Sequence, residues 1–270
     1  MNAEQLIDTR SAFDSVADAY DGPLGNNALV QAVRARTLAE VRRRVPPGAA
    51  LLDLGCGTGL DAAALAQQGY HVTAIDWSPE MVRRTEDRAA RGGLERMLAV
   101  HRLGIHELDR LPADDFDAAY SDLGSLNCVP DLGVAALAIA GRLRSQGTLI
   151  ASVIGRVCPW ELALFSVKRQ WREARRRAAK RAVAVPLNGR TVWTSYYSPA
   201  EFRSAFGRAG FALRSLRSLG LLAPPPYMDA FARRHQRAVA MLQALEDRVA
   251  GWPGLRRWGD HFLIVMQRRG

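Results

Sequence analysis

The stretch LLDLGCGTG, residues 51–59, restricts this chain more than any other. An apolar run that ends in three closely spaced glycines reads as a buried strand entering a strand-to-helix turn. Such a turn lets the backbone approach a ligand beyond the carboxyl ends of the strands. The spacing is G-x-G-x-G, and Leu60 stands where a dinucleotide-binding turn would place its last glycine. Asp53, just before the glycines, is a poor neighbour for a phosphate and a good one for a cation. Asp76 ends the next apolar run, residues 70–76, at about the separation from which an acid reaches ribose hydroxyls. Trp77 follows it and can pack against a purine ring.

The surrounding pattern fixes the fold class. Strands are expected at 49–55, 70–76, 97–103, 116–122 and 147–155, with helical segments between them. Ser78 and Pro79 give one helix its N-cap and first turn, and the segment 134–147 reads as another helix. Strands separated by helices imply right-handed crossovers and a mostly parallel sheet. After Gly155 the alternation breaks. Residues 156–182 read as helix, Asn188-Gly189 as a hairpin turn, and Ser198 as the start of another helix leading to a strand at Phe211. Residues 223–226 open a further helical excursion, and 260–267 form a last strand.

Composition narrows the function classes. With 48% hydrophobic residues in 270, the chain can bury a proper core. Three cysteines without a C-x-x-C pair exclude a Cys-rich zinc site and argue against a disulfide framework; no metal is expected. The polar N-terminus lacks the apolar core of a signal peptide, and the longest apolar stretch, 134–140, is too short to span a bilayer. A soluble cytoplasmic protein is the expectation. From residue 156 onward the chain carries 22 of its 37 Lys and Arg but only 7 of its 27 acids. The run KRQWREARRRAAKR, residues 168–181, concentrates eight of those cations. Only Lys168 and Lys180 are lysines, so a coding bias toward arginine inflates the basicity.

The stretch LLDLGCGTGLDAAALAQQGYHVTAIDWSPEMV resembles the class I S-adenosylmethionine-dependent methyltransferases over about residues 48–155 and the last strands. That resemblance implies an α/β, Rossmann-like, doubly wound seven-stranded sheet, mostly parallel with an antiparallel last strand, plus helical and hairpin lids. It divides a single domain, 1–270, into N-terminal lid helices (1–45), a cofactor-binding core (46–155), substrate-lid insertions (156–197 and 221–258) and last core elements (198–220 and 259–270). It implies S-adenosyl-L-methionine as cofactor. Gly55, Cys56, Gly57 and Gly59 would lie along its methionine part, Asp53 near the ammonium, Asp76 on the ribose and Trp77 against adenine. The family's acidic residue after the third strand is replaced by Gly104, leaving Ile105 to contribute backbone contacts. Ser121 and Asp122 fall on the cofactor side of the loop after the fourth strand. The segment 12–21 is similar to an N-terminal lid, like that of the quinone methyltransferases, whose tyrosine, here Tyr20, closes over the cofactor; the alternative is an ordinary amphipathic helix.

The acceptor side is less defined, because a sulfonium is already an activated methyl donor and the protein has mainly to align the acceptor and exclude water. Asn127, Trp160, Glu161, Trp171, Tyr196 and Tyr197 are the pocket candidates. Glu161 and His106 are the candidate acid–base residues, each with a plain structural alternative: a first-turn helix acid and a cofactor-loop residue. Trp160, Leu164, Val167, Trp171, Ala174 and Ala178 recur at helical spacing, which predicts one amphipathic helix roofing the acceptor. Its basic side would be solvated, or face an anionic substrate or lipid surface, or grip nucleic acid. Methyl transfer to O, N or C of a small hydrophobic or anionic molecule is the favoured activity. The alternatives are an RNA methyltransferase and a non-catalytic cofactor-binding interaction protein. The sequence leaves the oligomeric state open.

Overall fold

A computed structural model describes residues 1–112 and 115–270. Helices α1 (Ala3–Asp14), α2 (Pro23–Asn26) and α3 (Ala28–Arg44) lead into β1 (Ala50–Leu54). Then follow α4 (Leu60–Ala66), β2 (His71–Asp76), α5 (Pro79–Gly92), β3 (Leu98–Arg102), β4 (Phe116–Ser121), α6 (Leu132–Arg142) and β5 (Leu143–Ile154). After β5 come α7 (Pro159–Val167), α8 (Trp171–Ala174) and a hairpin of β6 (Val183–Leu187) and β7 (Arg190–Thr194). The chain ends with α9 (Pro199–Arg208), β8 (Phe211–Leu219), α10 (Asp229–Arg234), α11 (Gln236–Val249) and β9 (His261–Arg268).

Among the described residues the main sheet has seven strands in the order β3-β2-β1-β4-β5-β9-β8. All pairings from β3 to β5 are parallel, and β9 runs antiparallel to both β5 and β8. This is the seven-stranded Rossmann-like sheet that the resemblance implied, and its β3-to-β5 part is the parallel sheet that the alternation implied. Neighbouring residues of β1 enter opposite layers: Leu51 packs with Val41, Leu65 and Tyr70, while Leu52 packs with Phe116, Ile139 and Phe202. A strand buried on both faces has no polar side, which is why 51–54 reads as a near-continuous apolar run. The strand order reverses between β1 and β4, and the crevice there is the place where such sheets bind ligands.

Local signals hold at several boundaries. The Ser78 hydroxyl accepts from Met81 N at 3.1 Å, Pro79 opens α5, and Gly93 closes it in a left-handed conformation. Asn188 and Gly189 both have positive φ, 49° and 74°, as a two-residue hairpin turn requires.

Two expectations are corrected. The helix expected over 134–147 stops at Arg142, and β5 begins at Leu143. Leu143 pairs with Phe116 before a register shift brings Thr148 opposite Ala118, and Gln146 takes φ 64° at this irregularity. The single amphipathic helix expected after residue 156 is broken into α7, α8 and a 3-10 turn, Arg176–Ala178, with Arg169 at φ 55° in the first break. Val167 and Trp171, two residues of its apolar stripe, are 84% and 57% exposed. The breaks let Arg177 turn inward from the basic run. Its guanidinium donates to both Glu161 carboxylate oxygens at 2.7 Å and to Asp260 Oδ1 at 2.6 Å, and all three residues are buried. A side-chain pattern cannot announce that one cation of eight will become a core residue.

Candidate active site

A cavity of about 340 Å³ lies at the carboxyl ends of β1, β2 and β4, roofed by α1 and the β6–β7 hairpin. Its volume is in the range of small-molecule sites. The glycine turn forms part of the floor. Gly55, Gly57 and Gly59 have φ of 84°, 55° and 75°. A Cβ on Gly55 would meet the Ser125 side chain at 2.6 Å, and one on Gly59 would meet Thr85 at 2.6 Å. At Gly57 only Tyr20 Cε1 approaches, at 3.9 Å. Two of the glycines therefore serve packing, and Gly57 leaves the loop's surface open toward the cavity.

Asp76 is organised by that loop: Gly57 N donates to Oδ2 and Ser78 N to Oδ1, each at 2.9 Å. Burial nevertheless raises its pKa to about 6, against the pull of those two bonds. Asp53 lies under the turn, accepts the Tyr120 hydroxyl at 2.7 Å, and is held by burial well above the usual carboxylate range. Asp122 Oδ1 receives the Thr37 hydroxyl at 2.9 Å, Leu123 N at 2.8 Å and the Ser152 hydroxyl. Among the described residues its Oδ2 is buried without a partner, on a residue that lines the cavity. Asp61 joins this wall beside Arg34 at 3.3 Å, its pKa pushed up to about 7 by burial and then by the charge of Asp122. Four carboxylates and one guanidinium at the glycine end suit a ligand with a net cationic body and an anionic terminus.

Beyond Asp76 the wall is Trp77, Leu103, Gly104, Ile105 and His106. His106 meets Trp77 edge-on at 5.2 Å and 85°, and the Arg10 guanidinium stands 5.3 Å from the Trp77 ring centre. Leu6 and Phe13 of α1, Val129, Ile154, and Val185 and Val192 of the hairpin supply apolar lining. Cys128 and Tyr20 also line the cavity, and burial raises both pKa values to about 12, so both keep their protons near neutral pH.

Of the residues expected from sequence, Tyr20, Asp53, Gly55, Cys56, Gly57, Asp76, Trp77, Ile105, His106 and Asp122 line this cavity. Gly59 packs against Thr85 behind the turn, and Ser121 is fully buried within β4. The expected acceptor residues are placed elsewhere. Asn127 uses its amide to donate to Ile154 O and Ser195 O and to accept Ile154 N, which clamps β5 to the exit of the hairpin. Trp160 donates to Leu222 O at 3.0 Å and packs on Phe231. Glu161, proposed from sequence as an acid or base, is neutralised by Arg177 outside the cavity lining. The Trp171 side chain points to solvent, Tyr196 lies under the Arg177 guanidinium at 5.1 Å, and Tyr197 packs against the core.

Arg34, Asp61, Arg10 and the hairpin residues were not found by sequence reasoning. Asp61 had a signal, being an acid in the first turn of the helix that follows the glycines. Arg34 had none. The hairpin was legible as a hairpin, but its facing depends on α1, to which Trp193 is fixed through Asp8 Oδ2 at 3.1 Å and Thr9 Oγ1 at 3.0 Å.

S-adenosylmethionine, the cofactor implied by the sequence resemblance, carries a sulfonium, an ammonium and a carboxylate on a ribose-linked purine. The unpartnered Asp122 oxygen, the open surface at Gly57, the preset Asp76 and the Arg34 guanidinium fit that set of charges and hydroxyls.

Comparison with known proteins agrees. Residues 52–151 match a methyltransferase domain family. The chain is 31% identical over 217 residues to a ubiquinone biosynthesis O-methyltransferase of Xylella fastidiosa, strain 9a5c, covering 79% of this chain and 80% of that one. It is 37% identical over 124 residues to a demethylmenaquinone methyltransferase of Clavibacter sepedonicus, 43% of this chain and 46% of that one. Among solved structures, a 1,6-didemethyltoxoflavin-N1-methyltransferase of Burkholderia thailandensis superposes with a TM-score of 0.62 at 18% identity, covering 100% of this chain and 92% of that one.

Proposed function

Because the chain belongs to the class I S-adenosylmethionine-dependent methyltransferases, we propose that its acceptor is a small, largely apolar molecule seated beneath α1 and the β6–β7 hairpin. One observation carries this reading: the cavity lined by the glycine turn and its carboxylates is also lined by Leu6, Phe13, Val129, Ile154, Val185 and Val192. When bound, S-adenosylmethionine supplies a methyl group activated by a positively charged sulfur. Asp76 would hold the ribose hydroxyls, Trp77 would flank the base, Asp122 would receive the ammonium, and Arg34 would take the carboxylate. Leu6, Phe13, Val185 and Val192 exclude water and hold the acceptor against the floor, which is most of what alignment and desolvation require.

Acceptors that need little help losing a proton suit this cavity. Glu161 is tied to Arg177, and Tyr20 and Cys128 remain protonated. Relatives named for ubiquinone biosynthesis and for demethylmenaquinone support an aromatic acceptor of that kind. An RNA acceptor finds no comparable support, since the basic run stands apart from the cavity lining and one of its cations is built into the core. Among the described residues no helix is long and apolar enough to cross a membrane. We place the protein in the cytoplasm, as one domain whose lids are α1 and the insertions after β5.

Mass spectrometry of methyl transfer from isotopically labelled S-adenosylmethionine to a panel of phenols, catechols and quinols tests the proposal. A labelled product from an apolar aromatic acceptor is expected. Labelling of added bulk RNA, with none of the panel turned over, would contradict it.

A further inference from the structure

We propose that His106 reads the edge of the cofactor's base, so that Gly104 and His106 act as one recognition device. The inference rests on the cofactor reading above. Gly104 has φ −76° and ψ 154°, extended backbone that any residue adopts, so the chain has no conformational need for glycine there. A Cβ at residue 104 would nonetheless sit 2.4 Å from Cε1 and 2.6 Å from Nδ1 of His106. The imidazole folds back over residue 104 and occupies the volume a side chain there would take. A side chain at residue 104 would displace the imidazole from this position.

The imidazole lines the cavity, with its ring meeting Trp77 edge-on at 5.2 Å. The neighbouring acid is unavailable: Glu107 Oε2 accepts Gly104 N at 3.0 Å, and its other oxygen accepts from Arg110. Asp76, Trp77, Gly104, Ile105 and His106 line the same cavity, so with the ribose on Asp76 a base flanked by Trp77 would present an edge to residues 104–106. Adenine presents an amino donor there beside a ring-nitrogen acceptor. Arg10, over Trp77, offers donors only. The Ser78 hydroxyl already engages Met81 N and Asp14. A neutral imidazole carries one acceptor nitrogen, and among the described side chains at this end His106 is the one that can match the amino group.

Calorimetric titration of the full chain with S-adenosylhomocysteine, and with its deaminated analogue carrying a keto group in place of the amino group, tests this. The unaltered protein should bind the adenine form about tenfold more tightly, the effect of roughly one matched hydrogen bond. His106→Phe, which keeps an aromatic ring against Trp77, should bring the two affinities within about twofold of each other by removing that bond. Gly104→Ala should do the same with His106 still present, because its Cβ displaces the imidazole. Discrimination retained in both variants overturns the role of His106 and leaves the cofactor reading standing. Failure of the unaltered protein to bind either compound overturns both.

Discussion

The floor and the roof of the cavity are built in different ways. The floor is local: Gly57, Asp76, Trp77 and Ser78 lie on two adjacent strand ends, and hydrogen bonds from Gly57 N and Ser78 N set Asp76. The roof joins α1 to a hairpin some 180 residues away, through bonds from Trp193 to Asp8 and Thr9. A third arrangement, the buried Arg177 with Glu161 and Asp260, fastens the insertion after β5 to the start of β9. Chemistry that needs a fixed backbone can be carried by a short motif. Enclosure of a variable acceptor is assembled from distant pieces. On this division, changes to the floor alter cofactor affinity, changes to the roof alter acceptor use, and changes to the fastening alter stability.

The largest stability effect is expected at the fastening. Arg177→Met removes the guanidinium from buried Glu161 and Asp260, leaving only His261 Nδ1 beside Asp260 at 2.8 Å among the described residues, and should cost about 3–5 kcal/mol, read as a lowered denaturant midpoint. Burial opposes ionisation of Asp260, but the Arg177 charge holds its carboxyl well below the usual range. The sign follows: a depressed native pKa stabilises the fold above the unfolded carboxylate value and loses that contribution as the pH falls below it. The unaltered protein should therefore lose stability below about pH 4, and Arg177→Met should remove much of that slope.

A smaller and more selective effect is expected at the roof. Trp193→Phe deletes the bond to Asp8 while keeping an aromatic ring, and should raise the acceptor KM several-fold, about the effect of one hydrogen bond, with cofactor Kd unchanged. A matched rise in cofactor Kd would erase the distinction between floor and roof. The smallest effect belongs to the exposed cations. Arg172→Glu with Arg175→Glu should leave both constants within about twofold, because these side chains are solvated. A large rise in acceptor KM would show that the basic face meets an anionic substrate.

These regions also differ in how far the sequence discloses them. The glycine turn and Asp76 were readable because closely spaced glycines and an acid at the end of the next strand carry a local backbone requirement, which the positive φ values and the Gly57 N bond to Asp76 show. Resemblance singled out Tyr20, which lines the cavity, but not Arg34, since an arginine within α3 looks like any solvated helix residue. The apolar stripe from Trp160 to Ala178 was misleading: its spacing is helical, yet the chain breaks at Arg169 and Arg176 so that Arg177 can reach Asp260. Asn127, a pocket candidate by sequence, satisfies backbone groups of β5 and Ser195. Polar side chains of that type serve either purpose, and only the tertiary pairing decides.

Calorimetric titration with S-adenosylmethionine, on the unaltered protein and on Asp76→Ala, bears most directly on the floor as the cofactor site. One binding site is expected, with affinity rising as the pH climbs through about 6 and the Asp76 carboxyl ionises to accept the ribose hydroxyls. Affinity should fall about 100-fold or more in Asp76→Ala, since two charge-assisted hydrogen bonds are lost together. No binding by the unaltered protein, or equal binding by Asp76→Ala, would contradict that assignment.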